Sequence, residues 1–295
     1  MIGMAIQVVK IREFNGHSQA VYTISKDIRP GYFYSGGGDG MLVRWHINET
    51  DGTMIARHDE AIYTIYNNDN YVFTGTINGL FTVFAADTFL MLKHLKLSEK
   101  AIFDIMAFNG EILVATGEGT LLFLDHEFNL LKTMSLSTKS LRKMVLTDEG
   151  LAVAGSEGIV WVLNRDLQVV SELRAQDLSV FALAYHSASK TILSGGRDAT
   201  LKLYRNSQLF KTINAHLLHI HHISLNAAQT MYLTCSMDKT IKLWDADDDR
   251  LLKVIDLEKY GGHTSSVNKI LWFDKNNFIS CSDDRTLKCF EILEK

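Results

Sequence analysis

Seven times along this chain a hydrophobic strand ends in a tight polar turn, and the turns recur about every 40 residues. The register residues are Asp39, Asn78, Glu118, Glu157, Asp198, Asp238 and Asp284, with successive spacings of 39, 40, 39, 41, 40 and 46. A unit of that length cannot bury its apolar face alone, so neighbouring units must stack on one another. Rich in strand formers, such units predict a radial array of small β-sheets. An array of this kind presents a surface.

Each unit reads as strand, turn, strand, tight turn, strand. The first runs GHSQAVYTI and then YFYSGGGDGMLVRW; the sixth runs AHLLHIHHI and then MYLTCSMDKTIKLWD. Alternation in MLVRWHI and TIKLWDA is the period of a half-buried strand. GGGDG, GRDAT, SMDKT and SDDRT are the turns before that strand. A further strand precedes each following unit, for example FLMLKHLKL and QLFKTINAH. The expected unit is therefore a four-stranded antiparallel sheet.

These units resemble WD repeats, whose motif is a Gly-His pair, a Ser or Thr, a turn Asp and a Trp. Repeat one carries His17, Ser35, Asp39 and Trp45, and repeat six carries His216, Thr234, Asp238 and Trp244. Repeat seven keeps His263, Ser280 and Asp284 but has Phe290 in place of Trp. Repeat two has His58, Thr74, Asn78 and Phe84; repeat five has Gln176, Ser194, Asp198 and Tyr204. Repeats three and four drift furthest, with Val114, Glu118 and Leu124, then Val153, Glu157 and Leu163. The resemblance spans nearly the whole chain. It implies an all-β, seven-bladed propeller with four-stranded antiparallel blades.

Polar satisfaction explains the four residue types. A buried indole N–H needs an acceptor, which a Ser or Thr hydroxyl supplies. The His joins that hydroxyl to the turn Asp. Where Trp becomes Leu, the hydroxyl is lost too, so no buried donor is stranded and the drifted blades should fold. The last unit ends at Ile292 without its fourth strand. Ile6–Phe14, IQVVKIREF, looks like the missing one, closing the ring and removing two exposed sheet edges.

Composition narrows the setting. The single proline is Pro30 and no linker-like run divides the 295 residues, so one domain over 1–295 is expected. The N-terminus MIGMAIQVVKIREF lacks the features of a secretion signal, and no apolar run approaches the roughly 20 residues that cross a bilayer. Three cysteines, Cys235, Cys281 and Cys289, do not make a disulfide framework. A cytoplasmic protein without membrane association is the expectation. A formal charge of −4 argues against a nucleic-acid surface.

Several residues invite catalytic or metal readings. His17, Asp39 and Ser35 have the composition of a triad, but their repetition across blades marks a structural device. His216, His219, His221 and His222 could contribute to a metal site, yet adjacent strand residues face opposite ways. Asp245, Asp247, Asp248 and Asp249 lack the glycine and distal Glu of a calcium loop and read as a solvated turn. Cys235 and Cys281 hold equivalent places and read as small buried residues. No cofactor or metal is expected.

The resemblance implies a functional ring. In such propellers the residue after the first core aliphatic of the innermost strand faces the top, around the channel mouth. Here those residues are Tyr22, Tyr63, Phe103, Arg142, Phe181, His221 and Asn268. Aromatics and Arg are the usual anchors of interfaces. Ile77, Arg197, Met237 and Asp283, each preceding a turn acid, should share that face, as should the loop LEKYGG. The expected function is a non-enzymatic scaffold, monomeric by itself, that holds a protein segment over the mouth. The alternative is an enzyme or metal protein using His219, His221 or His222 with Asp283.

Overall fold

The computed structural model describes residues 6–294. Seven four-stranded antiparallel sheets follow one another in sequence, six of them in simple chain order. Their innermost strands are Val21–Lys26, Ile62–Asn67, Ile102–Phe108, Leu141–Thr147, Val180–His186, Ile220–Leu225 and Val267–Trp272. Each packs against the innermost strand of the next blade, and Val267–Trp272 packs against Val21–Lys26, so the ring closes. The chain is a seven-bladed propeller.

Closure uses the strand Ile6–Phe14. It pairs antiparallel with Leu287–Glu294, from Ile6 opposite Glu294 to Phe14 opposite Leu287, and completes the seventh sheet. Two of its side chains are anchored in different interfaces. Val8 joins the core between blades six and seven, and Phe14 joins the core between blades seven and one. Phe14 meets Phe33 and Trp45 edge-on at 5.2 and 5.7 Å.

Seven buried apolar clusters form the core among the described residues, one for each blade interface. Drifted blades three and four lie within this pattern. Leu124, Leu163, Val114 and Val153 are all buried and fill the places of Trp and Ser/Thr with aliphatic contacts.

The tight turns share one backbone device. The residue after each register residue has positive φ: Gly40, Gly79, Gly119 and Gly158, then Ala199, Lys239 and Arg285. In blade one only glycine fits, since a Cβ on Gly40 would lie 2.1 Å from the His58 carbonyl oxygen. Blades five to seven hold a non-glycine residue there by side-chain bonds. Asp198, Asp238 and Asp284 each accept the backbone N–H and the hydroxyl of a Thr two residues on, for example Thr240 at 3.0 and 2.6 Å. The acid thus fastens the turn as well as the histidine.

One local element differs from the sequence expectation. The excess in the last spacing is not an irregular loop throughout: Leu257–Tyr260 form a single helical turn. Asp256 caps it by accepting the Lys259 N–H, and Gly261 ends it in the left-handed conformation.

Candidate functional site: the channel mouth

The polar network of the blades comes first, because it fixes the loops around the mouth. In blade one, the Trp45 indole N–H donates to Ser35 Oγ at 2.7 Å. His17 Nε2 lies 2.7 Å from the same oxygen, and His17 Nδ1 lies 3.0 Å from the Asp39 carboxylate. Blade six repeats this with Trp244, Thr234, His216 and Asp238 at 2.9, 2.8 and 2.9 Å. The chemistry determines the tautomer. The hydroxyl oxygen accepts from indole, so its own hydrogen points to Nε2, and Nδ1–H donates to the carboxylate. A neutral histidine satisfies every member. Burial draws the His216 pKa below its usual value, and the Asp238 carboxyl sits far below the usual carboxylate range despite its burial, held by the histidine.

Other blades keep part of the network. His263 bridges Ser280 and Asp284 at 2.8 and 2.9 Å, with Phe290 needing no acceptor. In blade five Gln176 replaces the histidine, its Nε2 donating to Ser194 Oγ at 3.3 Å and its Oε1 lying 3.1 Å from the Thr200 hydroxyl oxygen. Tyr204 turns its hydroxyl outward to the Arg174 carbonyl at 3.1 Å. The same constellation in several blades is a framework, not a reaction centre.

The mouth itself is built by a backbone irregularity that occurs seven times. In every innermost strand the pairing register slips by one residue near its start. Val21 pairs with Gly37 and Thr23 with Gly36, leaving Tyr22 without a partner across the ladder. The residues left out in the other six blades are Tyr63, Phe103, Arg142, Phe181, His221 and Asn268. A β-bulge of this kind re-aims one side chain out of the sheet's alternation. All seven side chains line one open cavity of about 390 Å3, together with His219.

Round the cavity each side chain leans on the next. Tyr22 meets Tyr63 edge-on at 5.2 Å, and Tyr63 meets Phe103 at 5.7 Å. The Arg142 guanidinium lies 4.0 Å from the Phe103 centroid and 5.5 Å from that of Phe181, and its Nε donates to Ser156 Oγ at 2.7 Å. Phe181 contacts His219 and His221 at 6.0 and 6.1 Å. His221 Nδ1 donates to the Val267 carbonyl at 3.1 Å. Asn268 completes the circuit, donating to the Val21 carbonyl at 2.9 Å and to Asp283 at 2.8 Å. The seven bulge residues are half-buried, not fully exposed. Burial pushes the Tyr22 and Tyr63 phenols up and draws the Arg142 guanidinium down.

The four residues expected beside the ring, Ile77, Arg197, Met237 and Asp283, are all exposed and outside the cavity lining, and Asp283 accepts a hydrogen bond from the ring residue Asn268. His219 also lines the cavity, although the sequence names it only for the alternative enzyme or metal site over the channel. Its place just before the innermost strand of blade six was the available signal. Among the described residues no three His, Cys, Asp or Glu side chains converge as metal ligands. The cysteines are buried, and burial raises the thiol pKa of each, that of Cys281 and Cys289 to about 12. Asp249 accepts from Lys211 at 3.0 Å, and Asp245 and Asp248 lie beside Arg250. No helix among the described residues is long and apolar enough to cross a membrane.

Fold and motif together define a WD-repeat propeller. The family model for the WD domain, G-beta repeat, matches residues 8–46, 167–205, 207–245 and 249–291, and the chain belongs to that family. The unmatched stretch covers blades two to four, where the Asp and Trp have been replaced. WD repeat-containing protein 37 of Mus musculus is 27% identical over 125 residues, 42% of this chain and 25% of that protein. The nuclear distribution protein nudF of Aspergillus niger is 26% identical over 120 residues, 39% of this chain and 26% of that protein. The chain thus aligns with about a quarter of the length of these curated relatives. The crystal structure of the WD40 beta propeller domain of Doa1 superposes with a TM-score of 0.85 over 97% of both chains, at 14% identity. That likeness shows the fold.

Proposed function

We propose that this propeller is a non-enzymatic scaffold that holds a segment of another protein over the channel mouth. One observation carries the reading: seven bulges aim seven side chains into one open cavity, and four of these are aromatic. Half-buried aromatics with a neighbouring arginine are the composition of interface anchors. The cavity is open to solvent, which suits an extended strand or loop better than a small metabolite. The charge of −4 and the lack of a basic stripe favour protein over nucleic acid.

In this reading residues 1–295 act as one cytoplasmic domain, monomeric without its partner. Asp283 gives the rim an acidic side opposite Arg142, so the bound segment has a preferred direction. The test is quantitative affinity capture with the intact protein against Tyr63→Ala and Phe181→Ala. Proteins lost from both variants and retained by an outer-strand control variant are the expected result. Unchanged capture by both variants would reject the mouth as the binding face.

A further inference from the structure

The bulge residues are followed, one position on in each innermost strand, by a second tier of residues. Its charged and polar members include Thr23, Asp104, Lys143, His222 and Lys269, contributed by five blades. They converge: Lys269 Nζ donates to Thr23 Oγ1 at 3.0 Å, and Lys143 Nζ meets both Asp104 oxygens at 3.0 and 2.8 Å. Lys143, from blade four, also acts electrostatically on Lys269, from blade seven.

The charges do not balance. Asp104 is saturated by Lys143 and by the Met144 backbone N–H at 2.8 Å. Lys269 has no carboxylate bonded to it, only the nearby Asp104 charge acting on it, and among the described residues the Thr23 hydroxyl is its one hydrogen-bond partner. An ammonium has three donors, so two are unused. Beside it, His222 Nδ1 is sealed from solvent and has no partner. Burial and the Lys143 charge bring the Lys269 pKa down to about 8, and burial with both lysines holds the His222 imidazole well below its usual value. A part-buried cation with no bonded carboxylate is costly, and an anion of matching size lowers that cost.

We propose that the channel beneath the mouth holds one compact oxyanion, a phosphate or a carboxylate, bound by Lys269, His222 and the Thr23 hydroxyl. An oxyanion has enough lone pairs to accept from the ammonium, the imidazole N–H and the hydroxyl together. In this proposal access is through the mouth, whose lining residues His221 and Asn268 immediately precede His222 and Lys269 in the chain. The site does not depend on the protein-binding reading, because its ligand is defined by charge within the channel.

Isothermal titration calorimetry on the full chain at pH 7 and low chloride tests this with inorganic phosphate as the probe. One saturable site is expected, weakened at least tenfold in Lys269→Gln and unchanged in the exposed control Lys275→Gln. His222→Gln keeps the ammonium and weakens binding less; it carries the test should Lys269→Gln fail to fold. A second arm uses a short phosphoserine peptide. Tighter binding than phosphate assigns the oxyanion to a chain entering from the mouth, and failure to displace phosphate assigns a free ion. The proposal is overturned if neither probe saturates. It is equally overturned if the loss is absent in Lys269→Gln and His222→Gln, or if sodium chloride at equal ionic strength gives the same heat.

Discussion

The Arg142 guanidinium lies 4.0 Å from the Phe103 centroid and 5.5 Å from that of Phe181, with its Nε bonded to Ser156. The arrangement uses features that lysine lacks, a planar face and a directional N–H. Arg142→Lys should therefore behave almost as badly as Arg142→Ala in partner capture. A lysine variant that captured normally would show that only the charge matters.

The aromatic ring should separate binding from stability, although not completely. Tyr63→Ala and Phe181→Ala should each weaken partner capture more than tenfold, as interface anchors do. Because each ring touches its neighbours, a stability loss of about 0.5–1.5 kcal/mol is expected as well. Urea titration beside the capture assay checks both numbers. Global unfolding of these variants would mean that the ring is core.

Removing residues 1–14 should expose the edge of blade seven, lower stability by several kcal/mol and promote association. The point variant Phe14→Ala isolates the packing share, since Phe14 is fully buried against Phe33 and Trp45. A loss of about 3–5 kcal/mol is expected for that change alone. A truncated protein melting within a degree or two of the parent would sink the closure account.

Blades should respond unequally to the same chemistry. Trp244→Leu leaves a cavity and removes the indole N–H that Thr234 Oγ1 accepts, and should destabilise by roughly 2–4 kcal/mol. Leu163→Trp should bring no matching gain, because Val153 offers the indole no acceptor. Equal and opposite shifts in denaturant midpoint would refute the network as the cause.

Acid should destabilise the fold through its neutral histidines. Burial, with the nearby His94, lowers His58 to about 4. Between the unfolded value near 6.5 and that folded value, the unfolded chain binds a proton that the native one refuses. Stability therefore falls as pH falls from about 6.5 to 4, by up to 1.4 kcal/mol per pH unit for this group. His58→Gln should flatten the slope of unfolding free energy against pH over that window, and an unchanged slope would contradict the assignment.

Much of this architecture is legible in the chain because it repeats. Register acids, hydroxyls and tryptophans recur at fixed offsets, so one blade explains the next, and Ile6–Phe14 stands out because blade seven lacks a strand. The positions of the ring residues were also readable. Their mutual contacts were not: Phe103 and Arg142 are 39 residues apart and meet only once two blades are packed. The bonds that Gln176 makes to Ser194 and Thr200 and the helical turn at Leu257–Tyr260 likewise depend on local geometry that no period encodes.

The seven bulges also bear on how such a molecule can change. A residue omitted from the ladder has no cross-strand neighbour to match, and its side chain has left the alternation that fills the blade interfaces. Tyr, Phe, Arg, His and Asn already occupy equivalent places here without disturbing the sheets behind them. The mouth is thus a seven-character address written on a frame that does not read it, open to rewriting one character at a time while the ring that displays it stays shut.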